Sequence, residues 1–307
     1  MSGLFSIVDG LGSQVKKLFT PSEVKIGNFL FTLHHQWTFV IILVGLVFAS
    51  SNNYLNKEAM ICKGGDSFTN NYCFLHGSAH VAKALAKETN GCVSELDEDH
   101  DDEKRTTHYY IWLPFVFAIL AIMTKLPWIL WKNIENEMMK KLKDDMAEDG
   151  KATAERIHKV LLRKNRRHNL RAIVYNYGFA FCELLNLVVV IVSMCLLNLV
   201  LNSEFANYGS NVQNYQSFVP NDRAVELTNP MTDPMCHLFP TEVSCSVKTG
   251  ATTGGTNKDN IICLLPYNTF YQYYFLILWS WYILLIGLTS IGLVYRLVQL
   301  LLPAFGK

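Results

Sequence analysis

The sequence predicts an all-α membrane protein with four transmembrane helices, disulfide-tied extracellular loops containing short strands, and a helical cytoplasmic loop. Three observations lead to this fold class. Half of the 307 residues are hydrophobic and only 17% are charged. The apolar residues are concentrated in four long blocks, and six of the eight cysteines lie in two segments between blocks. A helix needs about 20 apolar residues to cross the hydrocarbon core of a bilayer, and each block reaches or approaches that length.

The four blocks define the domain organisation. A single helix satisfies its own backbone hydrogen bonds in lipid, so each block can span the membrane by itself. The predicted spans are residues 37–55, 109–131, 173–202 and 269–296. The other predicted segments are an N-terminal cytoplasmic helix and linker (1–36), a first extracellular loop (56–108), a helical cytoplasmic loop (132–172), a second extracellular loop (203–268) and a short cytoplasmic C-terminus (297–307).

The distribution of lysine and arginine predicts the orientation. Ten of these residues lie between Lys140 and Arg167, whereas the second cysteine-bearing segment holds only Arg223, Lys248 and Lys258. Basic loops stay on the cytoplasmic side of a membrane. We therefore expect both termini and the basic loop to be cytoplasmic, in a multi-pass protein of the plasma membrane. The same rule accounts for the basic loop without a nucleic-acid partner, and the expected surroundings of the spans are membrane lipid.

The cysteines predict disulfides between the two outer segments. Cys62, Cys73 and Cys92 lie in the first segment, and three more lie in the second, namely Cys236, Cys245 and Cys263. In an oxidising compartment such thiols form bridges. Spacing alone leaves their connectivity open.

Few residues indicate a catalytic, cofactor or metal site. The chain has no Ser-His-Asp order, phosphate loop, dinucleotide motif or zinc spacing, so we expect no enzyme, no cofactor and no metal site. Glu183 lies inside the third block, where an ionisable group is costly. It either makes a polar contact between helices or acts in conduction or gating. His34 and His35 precede the first predicted span, where an interfacial position or a pH-sensing role would explain them.

Several motifs resemble one family in their order along the chain. Tyr109-Tyr110-Ile111-Trp112 resembles the innexin signature Tyr-Tyr-Gln-Trp, with Ile at the third position. Phe205-Ala-Asn-Tyr-Gly resembles the family's Phe-x-x-Tyr-Gly stretch. The second outer segment is similar to that of innexins through Asp233-Pro-Met, Phe239-Pro and Cys263-Leu-Leu-Pro-Tyr-Asn268. The resemblance to innexins, the invertebrate gap-junction proteins related to pannexins, extends from about His34 to Arg296.

The resemblance implies a large-pore channel subunit that passes ions and small molecules between cells. Its subunits would form a homo-oligomer, octameric in each hemichannel, which docks with a second hemichannel; related subunits are candidate partners. The N-terminal helix and first span would line the pore, with the candidate residues Leu4, Phe5, Thr38, Gly45, Ser51 and Asn52.

The resemblance also implies a nested pattern of disulfides. The family pairs would be Cys62–Cys263 and Cys73–Cys245, which leaves Cys92–Cys236 as a third pair. Innexins usually carry two cysteines in each outer loop, so Cys92 and Cys236 are additional here.

Two alternative functions remain open at this point. One is a non-junctional hemichannel of the plasma membrane, which the departure from the family pattern at Lys57-Glu-Ala-Met-Ile61 favours. The absence of Asn-x-Ser/Thr motifs from both outer segments favours docking instead, because no glycan would cover the outer face. The other alternative is a four-span adhesion or scaffold protein, although the cysteine motifs of tetraspanins and claudins are missing.

Overall fold

The computed structural model describes residues 27–51, 60–76, 78–81, 104–135, 166–218, 233–250 and 256–301. The helices and strands within these residues are α1 (Phe29–Ser50), β1 (Ile61–Cys62), α2 (Ser67–His76), β2 (Ser78–Val81), β3 (Lys104–Thr107), α3 (Tyr109–Glu135), α4 (Arg166–Val200), α5 (Tyr208–Phe218), α6 (Pro234–Leu238), β4 (Glu242–Gly250), β5 (Thr256–Leu264) and α7 (Asn268–Leu301).

Four of these helices are long and apolar enough to cross a membrane, which confirms the predicted fold class. They are α1, α3, the part of α4 from Tyr177 to Val200, and the part of α7 from Asn268 to Val298. On α3 the exposed apolar side chains recur every three or four residues, at Trp112, Phe115, Ile119, Ile122, Leu126 and Ile129. Such a stripe would be unfavourable in water, but it suits a surface that faces lipid or a neighbouring subunit.

The helix that contains the first predicted span begins before the apolar block. Helix α1 starts at Phe29, whereas residue 37 is the predicted start of the span. Asn28 causes the earlier start, because its Oδ1 accepts a hydrogen bond from the Phe31 N–H at 2.8 Å and so caps the helix. The segment Leu33–Trp37 is a π-helical turn inside α1.

The strands form one antiparallel sheet in the order β1-β5-β4-β2-β3. The β4–β5 hairpin is its longest pairing, from Glu242 opposite Leu264 to Gly250 opposite Thr256. The predicted loop tip around Gly250–Asn257 falls at the end of this hairpin, although residues 251–255 are outside the described part. Strand β1 adds to one side of the hairpin, and β2 adds to the other. Both outer segments therefore contribute to the same sheet.

The chain divides into two compact units. The first unit comprises Met1–Leu43, Ala118–Ser193 and Tyr282–Lys307, and the second comprises Val44–Phe117 and Met194–Trp281. The core of the first unit contains the buried residues Phe31, Trp131, Phe179 and Cys182. The core of the second contains the sheet, the disulfides and an aromatic cluster around Phe239, whose ring stacks on Phe275 at 5.0 Å.

Candidate functional site

Two disulfides join the outer segments within the second unit. The bridges are Cys62–Cys263 and Cys73–Cys245, the two family pairs that the resemblance implies. Pairing of β1 with β5 places Cys62 directly opposite Cys263, and α2 brings Cys73 to Cys245 on β4. All four cysteines are buried. Each bridge therefore ties a residue of the first outer segment to the core of the second.

The turn between β1 and α2 fixes the position of Cys73. Gly64 adopts a φ of 70°, which favours glycine. Asp66 then caps α2, with its Oδ1 accepting a hydrogen bond from the Thr69 N–H at 2.9 Å. That backbone hydrogen bond lowers the pKa of the Asp66 carboxyl below its usual value. The Asn70 side chain accepts from the Cys62 N–H at 3.0 Å and holds the helix against the strand.

The two bridges lie close together. The sulfur atoms of Cys62, Cys73 and Cys263 are all within 4.8 Å of one another. These sulfurs are in disulfides, so they offer no thiolate to a metal ion. Cys236 on α6 is buried and disulfide-bonded as well. Cys92, its predicted partner, lies outside the described residues. Cys182 and Cys195 are free thiols within α4.

One hydrogen-bond chain connects the signature tyrosine to two other family motifs. The Tyr109 hydroxyl, at the start of α3, donates to Asn268 Oδ1 at 2.8 Å. Asn268 is the first residue of α7, and its Nδ2 donates to the Pro240 carbonyl at 2.5 Å. Because the polar atoms that form these two hydrogen bonds are buried, none of them can be solvated by water if its partner is lost. The amide of Asn268 thus fixes the starts of two spans against the second outer segment.

Phe239 is the centre of the packing around this chain. Its ring is fully buried and meets Tyr109, Tyr208 and Phe275 at centroid distances of 5.4, 5.8 and 5.0 Å. Its carbonyl accepts from Gln272 Nε2 at 2.9 Å, and the Gln272 carbonyl accepts from the Tyr208 hydroxyl at 3.0 Å. Burial raises the pKa of Tyr208 well above its ordinary value. The motifs that are scattered in the sequence therefore form one cluster.

The three signature residues have different environments. Tyr109 and Tyr110 are buried, whereas Trp112 is 62% exposed on the outer face of α3. The sequence motif indicated Tyr109 without its partners, because Asn268 lies 159 residues further along the chain. The hydrogen-bond role of Gln272 had no signal in the sequence.

Gly209 of the Tyr-Gly motif leaves room for a tryptophan. The Trp279 indole N–H donates to the Ala206 carbonyl at 2.8 Å. A Cβ on Gly209 would lie 2.1 Å from Trp279 Cε3, which is closer than any real contact. The large flat ring cannot move away without losing its hydrogen bond.

We expect Gly209→Ala to lower the free energy of unfolding by about 1–3 kcal/mol, because overpacking forces the tryptophan from its position. The measurement is the thermal unfolding midpoint of the detergent-solubilised protein. Gly287→Ala on α7 is the matched control, since a Cβ there meets nothing within 4 Å. An unfolding midpoint for Gly209→Ala equal to that of the control would contradict the tight contact.

The structure changes the set of candidate pore residues. Leu4, Phe5 and Asn52 lie outside the described residues. Thr38 is fully buried, and its hydroxyl donates to the Leu33 carbonyl at 3.0 Å. Gly45 packs so closely on Tyr274 that a Cβ would lie 2.3 Å from its hydroxyl oxygen. A residue buried in its own subunit cannot face a pore, so Thr38 and Gly45 do not fit the predicted role. Ser51 is half-buried.

Glu183 is paired between helices of the first unit. Its Oε1 accepts from Asn28 Nδ2 at 2.6 Å and from Arg296 Nη2 at 3.1 Å. Its Oε2 also forms an ion pair with Arg296 Nε. The Arg296 guanidinium lies 4.7 Å from the centroid of the Phe179 ring, a favourable cation–π distance. Glu183 is 8% exposed, and these partners compensate for the burial of its carboxylate.

The two histidines are inside α1 and buried. His34 Nε2 is 2.7 Å from Thr289 Oγ1 on α7. His35 Nδ1 is 2.7 Å from the Phe31 carbonyl oxygen, and its ring stacks on Trp128 at 4.2 Å. The cavity bordered by His34, Glu183 and Thr289 has a volume of about 10 Å³. That space holds about one water molecule, so it is not a path for solutes through the subunit.

Comparison with known proteins agrees with the motifs. Residues 27–307 match the family model described as Innexin. The chain is 30% identical to innexin inx2 of Schistocerca americana over 310 residues, which cover 96% of this chain and 82% of that protein. It is 29% identical to innexin shaking-B of Drosophila melanogaster, covering 94% of this chain and 78% of that protein. With innexin inx3 of Drosophila melanogaster the identity is 23%, over 98% of this chain and 76% of that protein.

Proposed function

This chain belongs to the innexin family and is a channel-forming subunit of gap junctions, and from that premise we propose that it assembles as an octameric hemichannel with both termini in the cytoplasm. The hemichannel docks head to head with a second one, formed by the same chain or by related subunits. Ions and small molecules then diffuse between cells with no chemical step.

The single sheet built from both outer segments carries this proposal. Strand β5 pairs with β1 from the first outer segment and with β4 from the second. Two buried disulfides join the same segments. A loop held in this way loses little conformational freedom when it meets a partner, which favours docking. The excess of lysine and arginine in residues 140–167 supports the cytoplasmic location of the termini.

Dye transfer between paired cells tests the junctional function. Cells that express the chain should pass a small fluorescent dye to a neighbour that also expresses it. Dye uptake from the medium without transfer would indicate a non-junctional hemichannel. Neither transfer nor uptake, with the protein present at the surface, would favour an adhesion protein and would overturn the channel proposal.

The proposal assigns one face of α1 to the pore. Val44 is 43% exposed on this helix, and Ser51 follows seven residues later. Positions seven apart lie on nearly the same side of an α-helix. This face replaces Thr38 and Gly45 as the pore-lining candidate and keeps Ser51. It belongs to the span that the family resemblance assigns to the pore.

We expect a cysteine at Val44 to make the conductance sensitive to a charged thiol reagent. The Val44→Cys channel should lose most of its conductance when the membrane-impermeant reagent reaches the pore. Ile42→Cys is the matched control, because Ile42 is fully buried and should not react. The wild-type channel sets the baseline for the exposed native thiol of Cys195. Equal insensitivity of both variants would place this face of α1 away from the pore.

The third disulfide remains part of the proposal. Four of the eight cysteines form the two observed bridges, Cys182 and Cys195 are free, and Cys236 is disulfide-bonded. Cys92 is then the remaining cysteine of the chain, which supports Cys92–Cys236. Peptide mapping under non-reducing conditions should recover this pair. Recovery of an alkylated Cys92 peptide from the unreduced protein would exclude it.

A further inference from the structure

One stripe of α7 faces the other helices of the first unit. Thr289, Gly292 and Arg296 are three and four residues apart, so they lie on the same side of the helix. Thr289 contacts His34 of α1 at 2.7 Å. A Cβ on Gly292 would lie 2.9 Å from Leu30 Cδ1, so glycine allows α1 to approach closely. Arg296 pairs with Glu183 of α4. These contacts join α1, α4 and α7.

Asn28 has two roles in this junction. Its Oδ1 accepts from the Phe31 N–H at 2.8 Å and begins α1. Its Nδ2 donates to Glu183 Oε1 at 2.6 Å. Because the two ends of one rigid amide bind different helices, the first turn of α1 is held in a defined direction against α4. Asn28 therefore caps α1 and also fixes the position of its first turn relative to α4.

The direction of the first turn of α1 also depends on the ion pair between Glu183 and Arg296. Glu183 binds Asn28 and Arg296 with the same carboxylate. A partly buried ion pair resists separation, since the charge that remains would be left without a partner. The position of Arg296 on α7 therefore affects Asn28 on α1 through Glu183. Movement of one helix requires the other two to move or the pair to break.

The junction includes an irregular turn of α1. His34 lies inside the π-helical turn Leu33–Trp37, and its contact with Thr289 holds that turn to α7. A π-turn is an unusual segment that frequently occurs at functional sites. A change at this turn would rotate the residues that follow it in α1, including Val44.

We propose that Asn28, Glu183 and Arg296, together with the His34–Thr289 contact, form a positioning junction that sets the open probability of the channel through the orientation of α1. The role rests on the proposed function, in which α1 lines the pore. None of these residues needs to touch a permeating solute. They affect the orientation of α1 and not the width of the open pore.

Recordings from paired cells, normalised to the amount of protein at the surface, test this role. Glu183→Gln should change open probability about tenfold, as expected for residues coupled in one network, and should leave unitary conductance unchanged. Asn28→Ser keeps a helix cap but cannot reach Glu183, so it should give the same change. The double variant should be no worse than either single variant, because each one breaks a link in the same chain of contacts from Asn28 through Glu183 to Arg296. Arg296→Lys, which keeps the charge, should retain most of the wild-type behaviour.

Thr124→Ala is the matched control, since Thr124 is a buried polar residue of the same unit whose hydroxyl donates to the Ala121 carbonyl of its own helix, α3. It should leave open probability unchanged. Additive effects of Asn28→Ser and Glu183→Gln would overturn the junction, and so would loss of surface protein as their sole effect. Absence of any conductance from the wild-type chain would overturn the proposed function itself. Normal wild-type conductance with additive variants would overturn the positioning role alone.

Discussion

Replacing Cys73 and Cys245 together with serine should abolish junctional coupling and lower the free energy of unfolding of the extracellular sheet by about 2–4 kcal/mol. This bridge joins α2 to β4. In contrast, Cys62 and Cys263 belong to β1 and β5, which already pair through their backbones. We therefore expect the Cys73–Cys245 bridge to contribute more to stability than the Cys62–Cys263 bridge.

The size of the effect follows from the unfolded state. The two cysteines are 172 residues apart, and closing so long a loop in a free chain would restrict it strongly. Here the spans stay in the membrane when the sheet unfolds, so the free segments are much shorter than that separation. The entropic gain is accordingly in the ordinary range for a native disulfide.

The measurements are junctional conductance between paired cells and surface labelling of the same cells. The spans need no disulfide to insert, so surface protein should fall less than conductance. Cys195→Ser is the control, because Cys195 is a free, exposed thiol on α4. Wild-type conductance in the double variant Cys73→Ser/Cys245→Ser would mean that docking does not need this bridge. The proposed basis of docking would then be wrong.

Phe239→Ala should lower the free energy of unfolding of the second unit by about 3–5 kcal/mol, the usual cost of removing a fully buried aromatic ring. The ring is stacked on Phe275 and packs nearly perpendicular to the rings of Tyr109 and Tyr208. Its loss would leave a cavity beside the hydrogen bond between Tyr109 and Asn268. The starts of α3 and α7 would then lose their fixed position.

A thermal unfolding series in detergent checks this expectation. Phe68→Ala is the matched control in the same unit, because Phe68 on α2 is 70% exposed. Its replacement should leave the unfolding midpoint almost unchanged. Phe239→Leu should fall between the wild type and Phe239→Ala, since it fills part of the space. Equal midpoints for Phe239→Ala and Phe68→Ala would contradict a central packing role for Phe239.

Local composition was sufficient to predict the spans. Crossing a bilayer depends on the length and hydrophobicity of one continuous segment, so the four helices could be identified from the sequence. The boundary of α1 was less accurate, because its cap, Asn28, lies in a polar stretch before the apolar block. A hydropathy pattern does not register a capping side chain.

The candidate sites were only partly predictable. Glu183 stood out as an acid within a span, but its partner Arg296 is 113 residues further along the chain. Thr38 and Gly45 belong to a predicted span that the family assigns to the pore, yet both are buried within the chain. The apolar sequence around them is nearly uniform, so it does not distinguish an inward face from an outward one.

The sequence by itself determined the membrane class, the four spans, the cysteine-bearing segments and the resemblance to innexins. These properties depend on local hydrophobicity or on ordered motifs, both of which are read along one chain. The tertiary structure decided which residues meet. It joined Tyr109, Phe239 and Asn268 into one cluster, and it placed Glu183 between Asn28 and Arg296. Buried polar groups need specific partners, and only the packing of distant segments brings those partners into contact.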